Sequence, residues 1–179
     1  MSDQENFFKN YLEYFRAIEL CIDSKLVLPA LTLIYSGIDT FSWVAYGDIG
    51  VRDRFTKWVE NHMYSENNLN PLPIDLYAAR CAILHTLTPD SKLSKNNNAL
   101  PINYAWGNAS LKELESAIER LGPGQATSVH LNELFESFKS GVAHFLDAEC
   151  DSAECQQRMA KHYAHLGTNT MGAFNKTKA

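Results

Sequence analysis

The chain has 179 residues, 16 of them basic and 21 acidic, for a formal net charge of -5, and 45% of it is hydrophobic. That is enough sequence for one domain with a sizeable core. It excludes a globally basic surface, so any nucleic-acid site has to be local.

Residues 4–22 read as a first helix, with Phe7, Tyr11, Tyr14, Ile18 and Cys21 at helical spacing. Asp23 or Ser24 reads as the cap of a second helix running to about Tyr46, with Pro29 in its first turn. Leu31, Ile34, Ile38, Phe41 and Ala45 form its main stripe, and Asp39 falls at the margin. The run Leu26–Tyr46 approaches the roughly 18 apolar residues of a membrane span. Ser36, Asp39, Thr40 and Ser42 interrupt it, so it reads as a buried central helix. A turn at 47–50 leads to a more polar helix, Arg52–Tyr64, carrying Phe55, Trp58 and Val59. Ser65–Pro73 is a loop. Ile74–Leu87 is the next helix, closed by the proline of Thr88-Pro89-Asp90.

Residues 90–108 form a long polar segment of the kind that is usually functional or disordered, with a short strand expected at Ile102–Trp106. Ser110 with Glu113 is a capping box that opens a helix to Leu121. Gly122-Pro-Gly124 ends it. A long helix is expected over Ser128–Ala148, with Leu131, Leu134, Phe135, Phe138, Val142, Phe145 and Leu146 on one side. A last helix is expected at 152–166. Residues 167–179 lack apolar periodicity and read as a loose tail. No run alternates convincingly enough for a sheet. The expected class is all-α, a bundle-like packing of six or seven helices in one domain over residues 1–166.

The helix Ile74–Leu87 carries the chemistry. Placed 100° apart, Ile83, Leu76, Leu87, Arg80, Leu84, Tyr77, Cys81, Ile74 and His85 follow one another around half its circumference. Asp75, Ala78, Ala79, Ala82 and Thr86 share the other half. Arg80 then lies inside the apolar arc, where a permanent charge needs either a carboxylate or a bound anion. With six arginines and six histidines in the chain, an Arg–His pair at this spacing arises by chance about 0.6 times, and Arg158 with His165 also matches. Context separates the two. Leu-Tyr-Ala-Ala-Arg-Cys-Ala-Ile-Leu-His-Thr sits near the end of an apolar helix, after two long helices and a shorter one and before a polar loop.

That stretch resembles the Arg-x4-6-His signature of the HEPN superfamily (higher eukaryote and prokaryote nucleotide-binding domains). The resemblance implies a HEPN-like helical bundle, metal-independent RNase activity without a cofactor, and a homodimer in which two motif copies meet in one cleft. It also implies that Arg80 holds the scissile phosphate, that His85 acts as general acid/base, and that Asp39 orients Arg80, as acidic residues on an earlier helix do in some relatives. Elementary chemistry fits those roles. Histidine titrates near neutrality, and a guanidinium offers a planar fork of donors to phosphoryl oxygens. Five residues turn a helix by about 140°, so one copy is expected to point Arg80 and His85 apart, and two copies across a twofold axis would solve this. Lys92 and Lys95 are candidate RNA-backbone contacts. RNA is the expected substrate. DNA, without a 2′-oxygen, should not be cleaved. An antitoxin or regulatory protein is a possible partner.

The family usually has a polar residue directly after the arginine, and this chain has Cys81. That departure favours the alternative, a non-catalytic helical module that binds a partner protein or a nucleotide. Asp39 then becomes a solvated helix-edge aspartate or the partner of a structural arginine. Tyr104 and Trp106 could stack a base or pack in the core. Cys155, His162 and His165, with Cys150 one turn earlier, are a weak zinc candidate, and no metal site is assigned. No phosphate-binding glycine loop is present. The four scattered cysteines and the polar N-terminus suggest a cytoplasmic protein with reduced thiols and no membrane anchor.

Overall fold

The apolar run that ends at Tyr46 takes the centre of the molecule. The structure, a computed structural model, describes residues 3–65, 69–86, 98–122 and 124–163. Its elements in chain order are α1 (Asp3–Asp23), α2 (Val27–Tyr46), α3 (Val51–Trp58), a π-helical turn (Val59–Met63), α4 (Pro73–Thr86), β1 (Ile102–Ala105), α5 (Leu111–Leu121), β2 (Thr127–His130), α6 (Leu131–Glu149) and α7 (Ala153–Tyr163). The architecture is mainly α. Helices α1, α3, α4, α6 and α7 all pack against α2.

Apolar spacing in α2 explains this placement. Ile34, Ile38, Phe41, Val44 and Ala45 are buried on it, together with Leu31 and Tyr35. Phe41 is the hub: its ring lies 4.3 Å from Tyr11, 5.9 Å from Phe7, 6.1 Å from Trp58 and 6.0 Å from both Phe138 and Phe145. Truncating such a ring to alanine typically costs about 3–5 kcal/mol. Among the described residues α2 is the one helix long and apolar enough to cross a membrane, and it carries the core instead. Gly37 lets α6 come close, since a Cβ there would meet the Phe138 ring at 2.5 Å.

Four features differ from the sequence expectation. Asp23 and Ser24 end α1 and do not cap α2. The Leu26 amide donates to the Cys21 carbonyl at 2.8 Å and the Lys25 amide to Ile22 at 2.9 Å, with Lys25 left-handed at φ 58°. This is a Schellman closure with lysine where glycine is usual. The cap position of α2, Leu26, makes no side-chain cap bond.

Next, the helix expected over Arg52–Tyr64 changes pitch. After Trp58 it widens into the π turn, and the Tyr64 amide reaches back to the Val59 carbonyl. Helix α6 shapes this turn. Ser137 Oγ donates to the Met63 carbonyl at 3.2 Å. Four residues on, Gly141 is so close that a Cβ would meet Met63 Cγ at 2.8 Å and its backbone at 3.2 Å.

Thirdly, the short strand expected at Ile102–Trp106 is present as β1, but it pairs with a second strand, so the expected all-α chain contains a ladder. β1 and β2 pair in parallel, Ile102 opposite Thr127 and Ala105 opposite His130, with the Thr127 amide donating to Pro101. Helix α5 is the crossover that a parallel pair requires. It packs on both strands, and Asn70 Nδ2 adds a hydrogen bond of 2.5 Å to Glu115. The N-cap half of the expected capping box is there, with Ser110 Oγ accepting from the Glu113 amide at 3.3 Å. Lastly, the helix expected from Ser128 begins at Leu131, because residues 127–130 belong to β2. His130 ends the strand and caps the helix, its Nδ1 accepting from the Asn132 amide.

Candidate functional site at Asp39, Arg54, Arg80 and His85

The buried face of α4 is largely the half opposite the expected apolar arc. Asp75, Leu76, Ala78, Ala79, Ala82 and Ile83 are buried, whereas Tyr77, Arg80, Cys81 and Leu84 keep a minor part of their surface exposed. Three alanines let α4 lie close on α2 and α3, and small side chains decide the orientation over bulkier ones. Asp75 is 2% exposed, yet both its oxygens are used. Oδ2 accepts from the Leu72 amide at 2.8 Å and Oδ1 from the Leu100 amide at 2.7 Å. It therefore fixes the start of α4 and the chain entering β1.

Arg80 consequently emerges beside Asp39 on α2. Its Nη2 donates to Asp39 Oδ2 at 2.5 Å, and the two side chains are 12% and 19% exposed. Nη1 of the same guanidinium lies 3.2 Å from His85 Nε2, and His85 is exposed. A guanidinium can only donate, so Nε2 accepts and the proton of the neutral ring sits on Nδ1. One chain thus brings Arg80 and His85 together, contrary to the angular expectation. The 140° separation holds for the Cα–Cβ vectors, about 100° per residue over five residues, but the long arginine side chain reaches across the helix surface. The geometric reason for requiring a second copy falls away.

Arg54 on α3 joins from the other side, with Nη2 3.9 Å from Asp39 Oδ1 and a side chain 14% exposed. One carboxylate therefore serves two guanidinium groups. Burial opposes the charge on Arg80, and the Asp39 hydrogen bond and charge outweigh it, so the Arg80 pKa is raised. Tyr77 and Cys81 complete the surround. Burial first, and then the Cys81 thiol beside it, raise the Tyr77 phenol, while Arg80 pulls the other way. The Cys81 position thus supplies a thiol that contacts Tyr77 and Arg80, where the resembled family has a polar side chain.

Other expected positions do not join this cluster. Lys92, Lys95 and His165, and the side chain of His162, lie outside the described residues. Burial and then Cys150 push the Cys155 thiol up to about 11. Among the described residues no group of three or more His, Cys, Asp or Glu is arranged to hold a metal ion. Arg158 serves the fold, since its Nε and Nη2 donate to the Val44 and Ala45 carbonyls at 2.5 and 2.7 Å and close the C-terminus of α2. Tyr104 is packed against the core, its hydroxyl 2.6 Å from that of Tyr35, while Trp106 stays 44% exposed.

Two groupings escape a reading of the sequence. Arg54 sits in a polar helix with nothing local to mark it. His62 and His144, 82 positions apart, face each other with Nδ1 atoms 3.0 Å apart. His62, on the π turn, is 2% exposed. Its Nε2 is 3.1 Å from the Tyr46 hydroxyl and 3.6 Å from Glu149 Oε1. Asn61 donates to the Tyr46 oxygen at 3.1 Å, which leaves the Tyr46 hydroxyl proton for His62 Nε2. His62 Nδ1 then carries a proton toward His144. Burial, and secondly His144, lower the His62 pKa to about 4.

No protein-family model, no curated protein and no solved structure matches this chain.

Proposed function

We propose that the chain is a cytoplasmic, metal-independent endoribonuclease of the HEPN type, working as a homodimer with no cofactor. The observation that carries this reading is the 3.2 Å approach of Arg80 Nη1 to His85 Nε2 beside the Asp39 anchor. It puts a phosphate-binding cation and a titratable imidazole at one point of the surface. Asp39 fixes one edge of the guanidinium, which leaves Nη1 to swing from His85 to a phosphoryl oxygen. His85 Nε2, its lone pair then released, would take the proton of the RNA 2′-hydroxyl. The 2′-oxygen then attacks phosphorus and the 5′-oxygen leaves with a proton from an acid, giving a 2′,3′-cyclic phosphate and a 5′-hydroxyl. The second motif copy of a homodimer could supply that acid. The net charge of -5 implies a salt-sensitive grip on RNA through a few local cations. An antitoxin covering the site would be a natural partner.

The rival reading is a non-catalytic module for a partner protein or nucleotide. What favours it is the depth of Arg80, 12% exposed and held on Asp39, as a purely structural pair would be. One assay separates the two. Purified protein is incubated with mixed RNA in EDTA, and the ends of the products are mapped. His85→Ala should slow cleavage by roughly 10²–10⁴-fold while remaining folded. Equal rates for His85→Ala and the unaltered protein, or no cleavage by either, leave the binding module.

A further inference from the structure

Arg54 is a largely buried charge without adequate compensation. Its side chain is 14% exposed, and its one ion pair among the described residues, to Asp39, is 3.9 Å long. That is beyond hydrogen-bonding distance. Its Nε is buried with no acceptor among the described residues, as is Nε of Arg80, and Asp39 Oδ1 likewise has no hydrogen-bond donor there. Asp39 Oδ2 is committed to Arg80 at 2.5 Å. Two permanent positive charges thus face one negative charge across α2, α3 and α4, and guanidinium donors are left over. Burying a cation without full pairing is costly, and a second anion would remove the cost.

We propose that Arg54 and Arg80 together form a receptor for one phosphate oxyanion, with Arg54 as a second substrate-binding residue. The identification of that anion as an RNA phosphodiester rests on the function proposed above. Asp39 offsets the repulsion between the two guanidiniums and sets their spacing. The exposed His85 marks the side from which the phosphate arrives. Arginine is suited to this because its planar fork can bridge two oxygens, whereas lysine offers a point charge.

The test is binding, not cleavage. A single-stranded 2′-O-methyl RNA oligonucleotide, which lacks the nucleophilic 2′-hydroxyl, is titrated by fluorescence anisotropy at several salt concentrations. Arg54→Gln should weaken binding on the order of 10- to 100-fold, the usual scale of a charge-assisted contact. It should also reduce the salt slope by about one. Arg54→Lys should restore the slope with only part of the affinity. Circular dichroism checks that both variants are folded. If either folded variant binds as the unaltered protein does, the inference fails, even where His85→Ala has abolished cleavage. If Arg54→Gln loses binding in a protein that cleaves no RNA, the receptor stands and the ribonuclease reading falls.

Discussion

Acidification should destabilise this protein through His62. The imidazole is 2% exposed, with the Trp58 and Phe145 rings 5.6 and 5.5 Å away and His144 at its Nδ1. Its folded pKa of about 4 lies below the ordinary 6.5. Between those values the unfolded chain binds a proton that the folded chain refuses, so stability must fall as pH drops from 6.5 toward 4. With these two pKa values the loss from pH 7.5 to 5 is about 2 kcal/mol, saturating near 3 kcal/mol below pH 4. Glu149, 3.6 Å from Nε2, is the carboxylate that would favour the protonated ring. The assay is urea unfolding at pH 7.5, 6.5, 5.5 and 5.0 for the unaltered chain and for His62→Gln. The difference between the two curves isolates the imidazole from other titrating groups. Parallel curves across that range would refute the reasoning, because glutamine has no proton to gain.

Gly141→Ala should lower stability by about 1–3 kcal/mol, since its Cβ meets Met63 side chain and backbone together; the urea midpoint reads this, and an unchanged midpoint would mean the π turn yields freely. Asp75→Ala should cost about 1–3 kcal/mol for the two hydrogen bonds it withdraws from the part-buried Leu72 and Leu100 amides, and hydrogen exchange at Leu100 should accelerate with it. Lys25→Gly should raise the melting temperature, because glycine relieves a left-handed lysine at φ 58°; the gain is about 0.5–1 kcal/mol, and a lower melting temperature would count against the Schellman closure.

Long elements are legible because their apolar spacing exceeds local ambiguity. The α1 and α2 stripes, the Ser110 cap and the core side of α6 all follow from periodicity or from one side-chain hydrogen bond. Only half of the ladder is legible. The first strand is expected at Ile102–Trp106, but Thr-Ser-Val-His is too short for alternation to register and reads as the start of the following helix, and a helical crossover separates the two strands in the chain. The α4 face misleads because hydrophobicity ranks leucine above alanine, while close helix packing on α2 favours the alanines. At the site, a charge inside an apolar arc calls for a carboxylate or an anion, and only the family resemblance names Asp39 as the partner of Arg80. Arg54 leaves no trace in sequence, because its meaning depends on the carboxylate being shared across three helices. The His62–His144 pair is hidden for the same reason, with 82 positions between the rings.

The parallel ladder bears on how this chain could change its length. The polypeptide leaves Ala105 and returns at Thr127 beside its own starting point, so everything between is a closed detour. Residues could be added at the turns around Gly107 or Gly124, whose Cβ positions face open space, without moving a core side chain. The reverse operation is barred, since strands running the same way cannot be joined by a tight hairpin. The detour can grow into an accessory segment far more easily than it can be deleted, which makes it the natural graft site for a tag, a reporter or a fused domain.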